Sequence, residues 1–101
     1  MRTFEKETTQ AGTANIDHAW ENSNNAGVTW YVNASAQGGT AKLCIVHDDG
    51  TIKVAETDTV AADTPTVIVY DFPISKAIFR WTPSGTTSSV LTSRITPKPT
   101  R

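Results

Sequence analysis

Runs in which apolar and polar residues alternate recur along almost the whole chain. Because successive side chains of a β-strand point to opposite faces, this alternation predicts strands that bury one face in a core. No stretch places apolar residues at the i, i+3, i+4 and i+7 positions of a helix over three turns. The predicted strands cover residues 14–20, 28–35, 41–47, 51–56, 66–72, 76–82 and 88–95, and the polar segment 3–8 is either an edge strand or an arm.

Seven or eight short strands at nearly regular spacing predict an all-β protein. The expected fold class is a single antiparallel β-sandwich, and two topologies stay open for it, a jelly-roll and an Ig-like Greek key. The sandwich is expected over residues 13–96, between an N-terminal arm over 1–12 and an extended C-terminal tail over 97–101. Pro97 and Pro99 set the tail apart because proline has no N–H to donate to a sheet.

The clearest strand pattern lies between Lys76 and Ile95. Two runs rich in β-branched and aromatic residues flank a segment with Pro83 and Gly85, which predicts that the two strands pair as an antiparallel hairpin. The second run is half polar, a pattern typical of an outer strand. Alternation places one set of side chains of each run on a common face: Ala77, Phe79 and Trp81 in the first run, and Ser89, Leu91, Ser93 and Ile95 in the second.

Other segments indicate which residues form the core. Residues 66–72 are almost entirely apolar, which predicts a central strand covered on both faces. Trp30 and Phe79 are predicted to be core residues. The aromatic side chains that together supply enough apolar surface for one core are Phe72, Phe79, Trp20, Trp30, Trp81, Tyr31 and Tyr70.

The Asp48-Asp49-Gly50 segment predicts a tight hairpin turn, because an Asp-Gly pair supplies the positive φ angles that such turns require. Two loop lengths fit the sequence, and they give different registers. A two-residue loop pairs Ile45 with Val54 and His47 with Ile52, whereas a three-residue loop with a bulge pairs Val46 with Ile52 and Cys44 with Val54.

Composition narrows the classes of partner. The net charge is −1 and the isoelectric point is about 6.0, so the chain lacks the positive field that gathers nucleic acid. Cys44 is the one cysteine, and its apolar neighbours predict a buried, unreactive thiol. Neither a signal-like apolar segment after Met1 nor an apolar run of membrane-spanning length occurs, which predicts synthesis in a cytoplasm and no membrane partner.

The acidic residues and histidines do not form a motif with chemistry. The two aspartates of the turn are interpreted as turn formers, and Ser and Thr residues lack a nucleophile motif such as Gly-x-Ser-x-Gly. We therefore predict that the protein is not an enzyme and has no catalytic, cofactor-binding or metal-ligating residue. The side chains weighed for these roles are His18, His47, Asp48, Asp49, Asp58 and Asp63 for metals, and Glu21, Glu56 and Asp71 for hydrolysis.

An exposed aromatic side chain beside amides and carboxylates is the pattern of a sugar-binding platform. Trp20 with Glu21, Asn22 and Asn24 provides such a pattern, and Tyr31 is a second aromatic that would fit. The favoured interpretation is that Trp20 closes one end of the core. A carbohydrate-binding β-sandwich module is therefore the alternative function.

Several stretches resemble a known class of proteins: Asp48-Asp-Gly-Thr51, Phe79-Arg-Trp-Thr-Pro-Ser-Gly85 with the strand after it, and the Gly-, Thr- and Ala-rich strands. The chain is similar to the small β-sandwich structural proteins of tailed-phage virions, in particular head-decoration (capsid cement) proteins. The resemblance implies a non-enzymatic capsid decoration protein made in the host cytoplasm and located on the capsid surface. It also implies no cofactor, the major capsid protein as partner, and self-association into a homo-oligomer.

The two chain ends are predicted to contribute to partner binding. The tail has an extended bias that lowers the entropy lost on docking, and it adds positive charges to a slightly acidic protein. The residues expected to bind a partner are Arg2, Phe4, Pro97, Lys98, Pro99 and Arg101.

Overall fold

The computed structural model describes residues 4–10, 14–22 and 25–99, and it contains eight β-strands and no helix in those residues. The all-β prediction is confirmed. No helix in the described ranges has the length and apolar character needed to cross a membrane. The strands are β1 (Phe4–Gln10), β2 (Ile16–Glu21), β3 (Gly27–Ala34), β4 (Gly39–Val46), β5 (Ile52–Val60), β6 (Thr66–Tyr70), β7 (Lys76–Pro83) and β8 (Ser89–Lys98).

The strands form two four-stranded antiparallel sheets, which confirms the β-sandwich. Sheet I has the order β1-β8-β3-β6 and sheet II has the order β2-β7-β4-β5. The pairs β1 with β8, β2 with β7, β3 with β6 and β4 with β5 are nested, and they alternate between the two sheets. This order is that of an eight-stranded jelly-roll, so it selects the jelly-roll over the Ig-like alternative.

The predicted hairpin between Lys76 and Ile95 is wrong, because β7 and β8 lie in different sheets. β7 pairs with β2 and β4, whereas β8 pairs with β1 and β3. The segment between them crosses from one sheet to the other, and the N–H of Ser84 donates to the carbonyl of Gly38 at 3.0 Å on the way. A turn-like composition therefore marked a sheet-to-sheet connection.

Two strands occupy positions in sheet I that differ from the prediction. β6 is an edge strand of sheet I and not a central strand, and Val67 and Val69 are 55% and 51% exposed. β8 is central between β1 and β3, although its half-polar pattern predicted an outer strand. A central strand of a sandwich still has one face in solvent, so an alternating pattern does not reveal whether a strand lies at an edge.

The β4–β5 turn has the three-residue form. Val46 pairs with Ile52 and Cys44 pairs with Val54, and Gly50 has a φ of 89°. The Asp49 carboxylate accepts the N–H of Thr51 at 2.9 Å. Hydrogen bonds from the side chain and then from the backbone N–H of Thr51 lower the pKa of this carboxyl group. Of the two registers that the sequence left open, the structure has the one with the bulged loop.

The observed strands extend beyond the predicted strand or domain boundaries at three places. β1 lies inside the segment predicted as an arm over 1–12, and β8 continues to Lys98, beyond the predicted limit of 96. Pro97 lies within β8, opposite Val28 of β3. β5 also continues to Val60 through a segment predicted as a loop from 57, since alternating threonines sustain the strand.

The core lies between the sheets, and Trp30 and Phe79 are both buried at its centre, as predicted. Their rings meet edge to face with centroids 5.0 Å apart, and the indole N–H of Trp30 donates to Ser93 Oγ at 2.6 Å. The prediction that Phe72 belongs to the core is wrong, because its side chain is 64% exposed. The large, fully buried side chains include Trp30, Trp81, Phe79, Leu43, Leu91, Ile95, Val28, Val32 and Val60.

One buried histidine gives the fold a pH dependence. His18 on β2 is buried 3.4 Å from Thr8 Oγ1, and burial lowers its pKa, with Lys6 acting in the same direction and Asp17 opposing. A lowered pKa means that the unfolded chain binds the proton first as the pH falls below about 7. The folded state is therefore stabilised above the pKa of the unfolded histidine, and this stability is lost as the pH falls toward the pKa of the folded one.

We expect the free energy of unfolding to fall between pH 7 and pH 5.5 by less than about 1.4 kcal/mol per pH unit, the limit for one proton. Urea denaturation across this range measures it. His18→Gln should flatten the dependence. Equal slopes in the wild type and His18→Gln would show that His18 is not the group responsible.

Candidate functional site

The outer face of sheet II exposes a set of apolar side chains that runs across all four strands. Strand pairing places Ala19 beside Ile78, and Ile78 and Val54 on either side of Cys44. In the next row Val46 pairs with Ile52. Ile52 and Val54 are 43% and 46% exposed. We call this surface the sheet II patch, and it consists of Ala19, Val46, Ile52, Val54 and Ile78.

The turn register determines that this patch exists. A three-residue loop puts Ile52 and Val54 on the same outer face as Val46, because paired residues of neighbouring strands share a face. The other register would have paired Val54 with Ile45 and turned it toward the opposite face. A bulge between Leu43 and Cys44 then shifts the remainder of β5 by one residue.

An open concavity of about 440 Å³ lies at one end of the patch, where β2, β4 and β7 meet. It is mostly apolar, with one acidic and one basic side chain at its margin. Such a shape fits one protruding side chain of a partner. Its lining residues are Ala19, Trp20, Glu21, Val46, Lys76, Ala77 and Ile78.

The charged residues around the patch are largely paired with one another. Arg80 donates two hydrogen bonds to Asp17, at 2.8 and 3.0 Å, and this carboxylate raises the pKa of the guanidinium. Lys76 Nζ lies 3.6 Å from Glu21 Oε2. These two pairs neutralise most of the charge on the rim, and Lys42 beside Arg80 adds one positive charge. A rim of this kind suits contact with a weakly charged surface.

Cys44 lies in the middle of the patch but is fully covered by its neighbours. Burial raises the pKa of its thiol, and the opposing influence of Arg80 is the smaller one. The protonated thiol acts as a small apolar side chain under the patch. The predicted burial is confirmed, although the thiol is under the outer face and not in the main core.

The predicted sugar platform does not have the geometry it requires. Trp20 is only 8% exposed, and its ring packs edge to face against Phe79 with centroids 5.8 Å apart. The preferred interpretation, in which Trp20 closes one end of the core, is confirmed. Glu21 is exposed and Asn22 is half-buried, whereas Asn24 lies outside the described residues.

Tyr31, the other candidate for stacking a sugar, is half-buried on the outer face of sheet I. The guanidinium carbon of Arg94 lies 5.3 Å from its ring centroid, a cation–π distance. Arg94 also contacts the Glu5 carboxylate at 2.5 Å. One face of this ring is therefore covered by the protein's own side chain.

The structure brings the two predicted partner-binding ends together at one end of sheet I. Phe4 pairs with Ile95 near the end of β8, and its side chain lies outside the described residues. Pro97 is buried, and the carbonyl of Lys98 accepts the N–H of Ala26 at 2.8 Å. Lys98 also pairs with Asp71 at 3.5 Å, and Pro99 is exposed. Arg2 and Arg101 lie outside the described residues.

Pro97 and Lys98 are thus part of a sheet and not of a free tail. Partner binding by these ends stays a prediction. Within residues 4–10, 14–22 and 25–99, no three His, Cys, Asp or Glu side chains converge to hold a metal ion.

The sheet II patch was not predicted from the sequence. Alternation was interpreted as core on one face and solvent on the other, so exposed Ile52 and Val54 were assigned no role. The available signal was the combination of the bulged turn register with apolar residues at both 52 and 54.

The comparisons with known proteins concern the fold. No protein-family model matches the chain, and no curated protein matches it. A crystal structure of the Yersinia pseudotuberculosis-derived mitogen is similar, with a TM-score of 0.68 and 12% identity over 99% of this chain and 89% of that chain. A structure of infectious bursal disease virus, Gx strain, has a TM-score of 0.41 and 13% identity over 94% of this chain and 32% of that chain. At these identities the similarity to the mitogen indicates a common fold alone.

Proposed function

We propose that this chain is a non-enzymatic structural protein of a phage virion, which binds the major capsid protein through the sheet II patch. The observation that carries the proposal is the patch itself. Apolar side chains that are exposed together on one face are typical of a protein-binding surface, whereas single apolar side chains scattered over a surface are normal in any protein. The Asp17–Arg80 and Glu21–Lys76 pairs, which neutralise most of the charge around the patch, also favour a protein surface over a charged polymer.

The overall charge supports the same role. A decoration protein binds in many copies side by side, and a net charge of −1 produces little repulsion between neighbours. Weak single contacts are sufficient when many copies cover a repeating lattice. The carbohydrate-binding alternative is less well supported, because Trp20 is buried and Arg94 covers Tyr31.

The test is co-sedimentation of the purified protein with tailed-phage heads that lack their decoration protein. We expect saturable binding, and we expect Ile52→Lys with Val54→Lys to weaken it at least tenfold, because two charges would be placed in an apolar contact. Both side chains are almost half exposed, so the fold should tolerate the change.

Val90→Lys is the control for an added surface charge, because Val90 is 40% exposed and lies on β8 of sheet I, away from the patch. It should bind as the wild type does. Binding that survives the double substitution would reject the patch as the contact. Absence of binding to heads together with binding to an immobilised oligosaccharide would reject the structural role in favour of the sugar-binding module.

A further inference from the structure

The four edge strands of the sandwich differ in how they are protected against pairing with another chain. Edge strands are commonly protected by charged side chains, prolines or bulges, because an exposed ladder of N–H and C=O groups is a template for association. β1 has Glu5, Lys6 and Glu7, and β2 has Asp17 and Glu21. β5 has a bulge opposite Leu43 and Cys44 together with Lys53, Glu56 and Asp58.

β6 has none of these features. Its sequence, Thr-Val-Ile-Val-Tyr, contains no charge, proline or glycine. It pairs with β3 on one side, and in the described part of the chain no strand lies on its other side. Val67 and Val69 project from its outer face and are each more than half exposed. This is the kind of segment that readily adds to another strand.

We propose that two copies of the chain pair through the free edges of β6. The two β6 strands would run antiparallel about a two-fold axis, and the two copies of sheet I would join into one eight-stranded sheet. A two-fold axis pairs β6 with the same strand of the second copy, so the strand must be complementary to itself, and charges of a single sign on it would lie close to like charges. Of the four edge strands described, β6 is the one without a charged residue, which is compatible with pairing to itself. The second copy is therefore the proposed occupant of the free edge of β6.

The strand length determines the register. All five residues of β6 overlap only when the axis passes at Ile68, which places Val67 opposite Val69 of the second copy. Phe72, packed on Tyr70 with centroids 5.6 Å apart, then lies opposite the exposed corner at Thr64 and Pro65 of the second copy. Asp71 lies opposite Pro65 and not opposite another carboxylate. The register with the axis at Ile68 therefore allows the main-chain hydrogen bonds between the two β6 strands and the apolar contacts of their side chains to form together.

A five-residue edge gives a small interface, so the dimer should form reversibly. The experiment is sedimentation velocity over a concentration series from micromolar to millimolar. We expect the mass to rise from the 10.9 kDa of the monomer toward twice that value. Hydrogen exchange at the same concentrations should slow in residues 66–70.

Two double variants test the register. Val67→Lys with Val69→Lys places like charges opposite each other and should lower the dimer association constant at least tenfold. Val67→Lys with Val69→Glu carries as many charges, but the new lysine then faces the new glutamate of the second copy, so dimerisation should return. Val54→Lys, on the sheet II patch, should leave the dimer unchanged.

A monomer at every concentration overturns the proposal and rejects the second copy as the occupant of this edge. A dimer that persists in the doubly lysine-substituted variant, or that is lost in Val54→Lys, also overturns it by placing the interface elsewhere. Because no capsid is present in this experiment, its result is independent of whether the sheet II patch binds a capsid protein.

Discussion

Replacing Trp30 with alanine is expected to lower the free energy of unfolding by about 3–5 kcal/mol, the usual cost of removing a buried large aromatic side chain. The ring is 1% exposed, packs on Phe79, and donates its N–H to Ser93. The substitution leaves a cavity between the sheets and a buried hydroxyl without its donor. Since domains of this size have total stabilities of about 5–15 kcal/mol, the variant should be close to unfolding at 37 °C.

Urea denaturation followed by circular dichroism measures this effect. Phe72→Ala is the matched control, because it also removes an aromatic ring but from a side chain that is mostly in solvent, and it should change stability by less than about 1 kcal/mol. Ser93→Ala should cost about 1–3 kcal/mol by leaving the indole N–H without its acceptor. Similar losses for Trp30→Ala and Phe72→Ala would contradict the assignment of the core.

Gly27→Ala is expected to cost about 3 kcal/mol. Gly27 has a φ of 154°, which side chains other than hydrogen rarely allow, and an added Cβ would lie 2.3 Å from the carbonyl oxygen of Tyr70. Strain and overpacking each cost about 1–3 kcal/mol. The clash is with backbone at the point where β3 meets β6, so the two strands would have to separate locally.

Gly50→Ala separates the two contributions. Gly50 also has a positive φ, of 89°, but no atom lies within 4 Å of an added Cβ. It should therefore show only the backbone strain, about 1 kcal/mol. Thermal unfolding of both variants is the measurement, and equal losses would show that close approach of Tyr70 does not limit position 27.

The faces of individual strands could be predicted from the sequence because alternation is a local property. The buried positions 77, 79 and 81 on β7, and 89, 91, 93 and 95 on β8, follow from it directly. The turn composition reduced the β4–β5 register to two choices. The decision between them rests on a single residue of loop length, which the sequence pattern does not resolve.

Strand pairing could not be predicted, because it depends on contacts between residues far apart in the chain. β7 and β8 are neighbours in sequence with a turn-like connection, yet each pairs with strands from the first half of the chain. β6 has the composition of a buried strand but lies at an edge. The sheet II patch depends on both pairing and register, so it became visible only with all four strands in place.

The nested order of the strands has a consequence for synthesis. β8, the eighth of the described strands in chain order, lies between β1 and β3 in sheet I. Until residues 89–98 have left the ribosome, β1 has no partner in this sheet and β3 lacks one of its two neighbours. Chains emerge at about 5–20 residues per second, so β1 waits for several seconds before its partner appears. Sheet I is therefore expected to be completed only after β8 has emerged, and β1 and β3 keep unpaired edges until then.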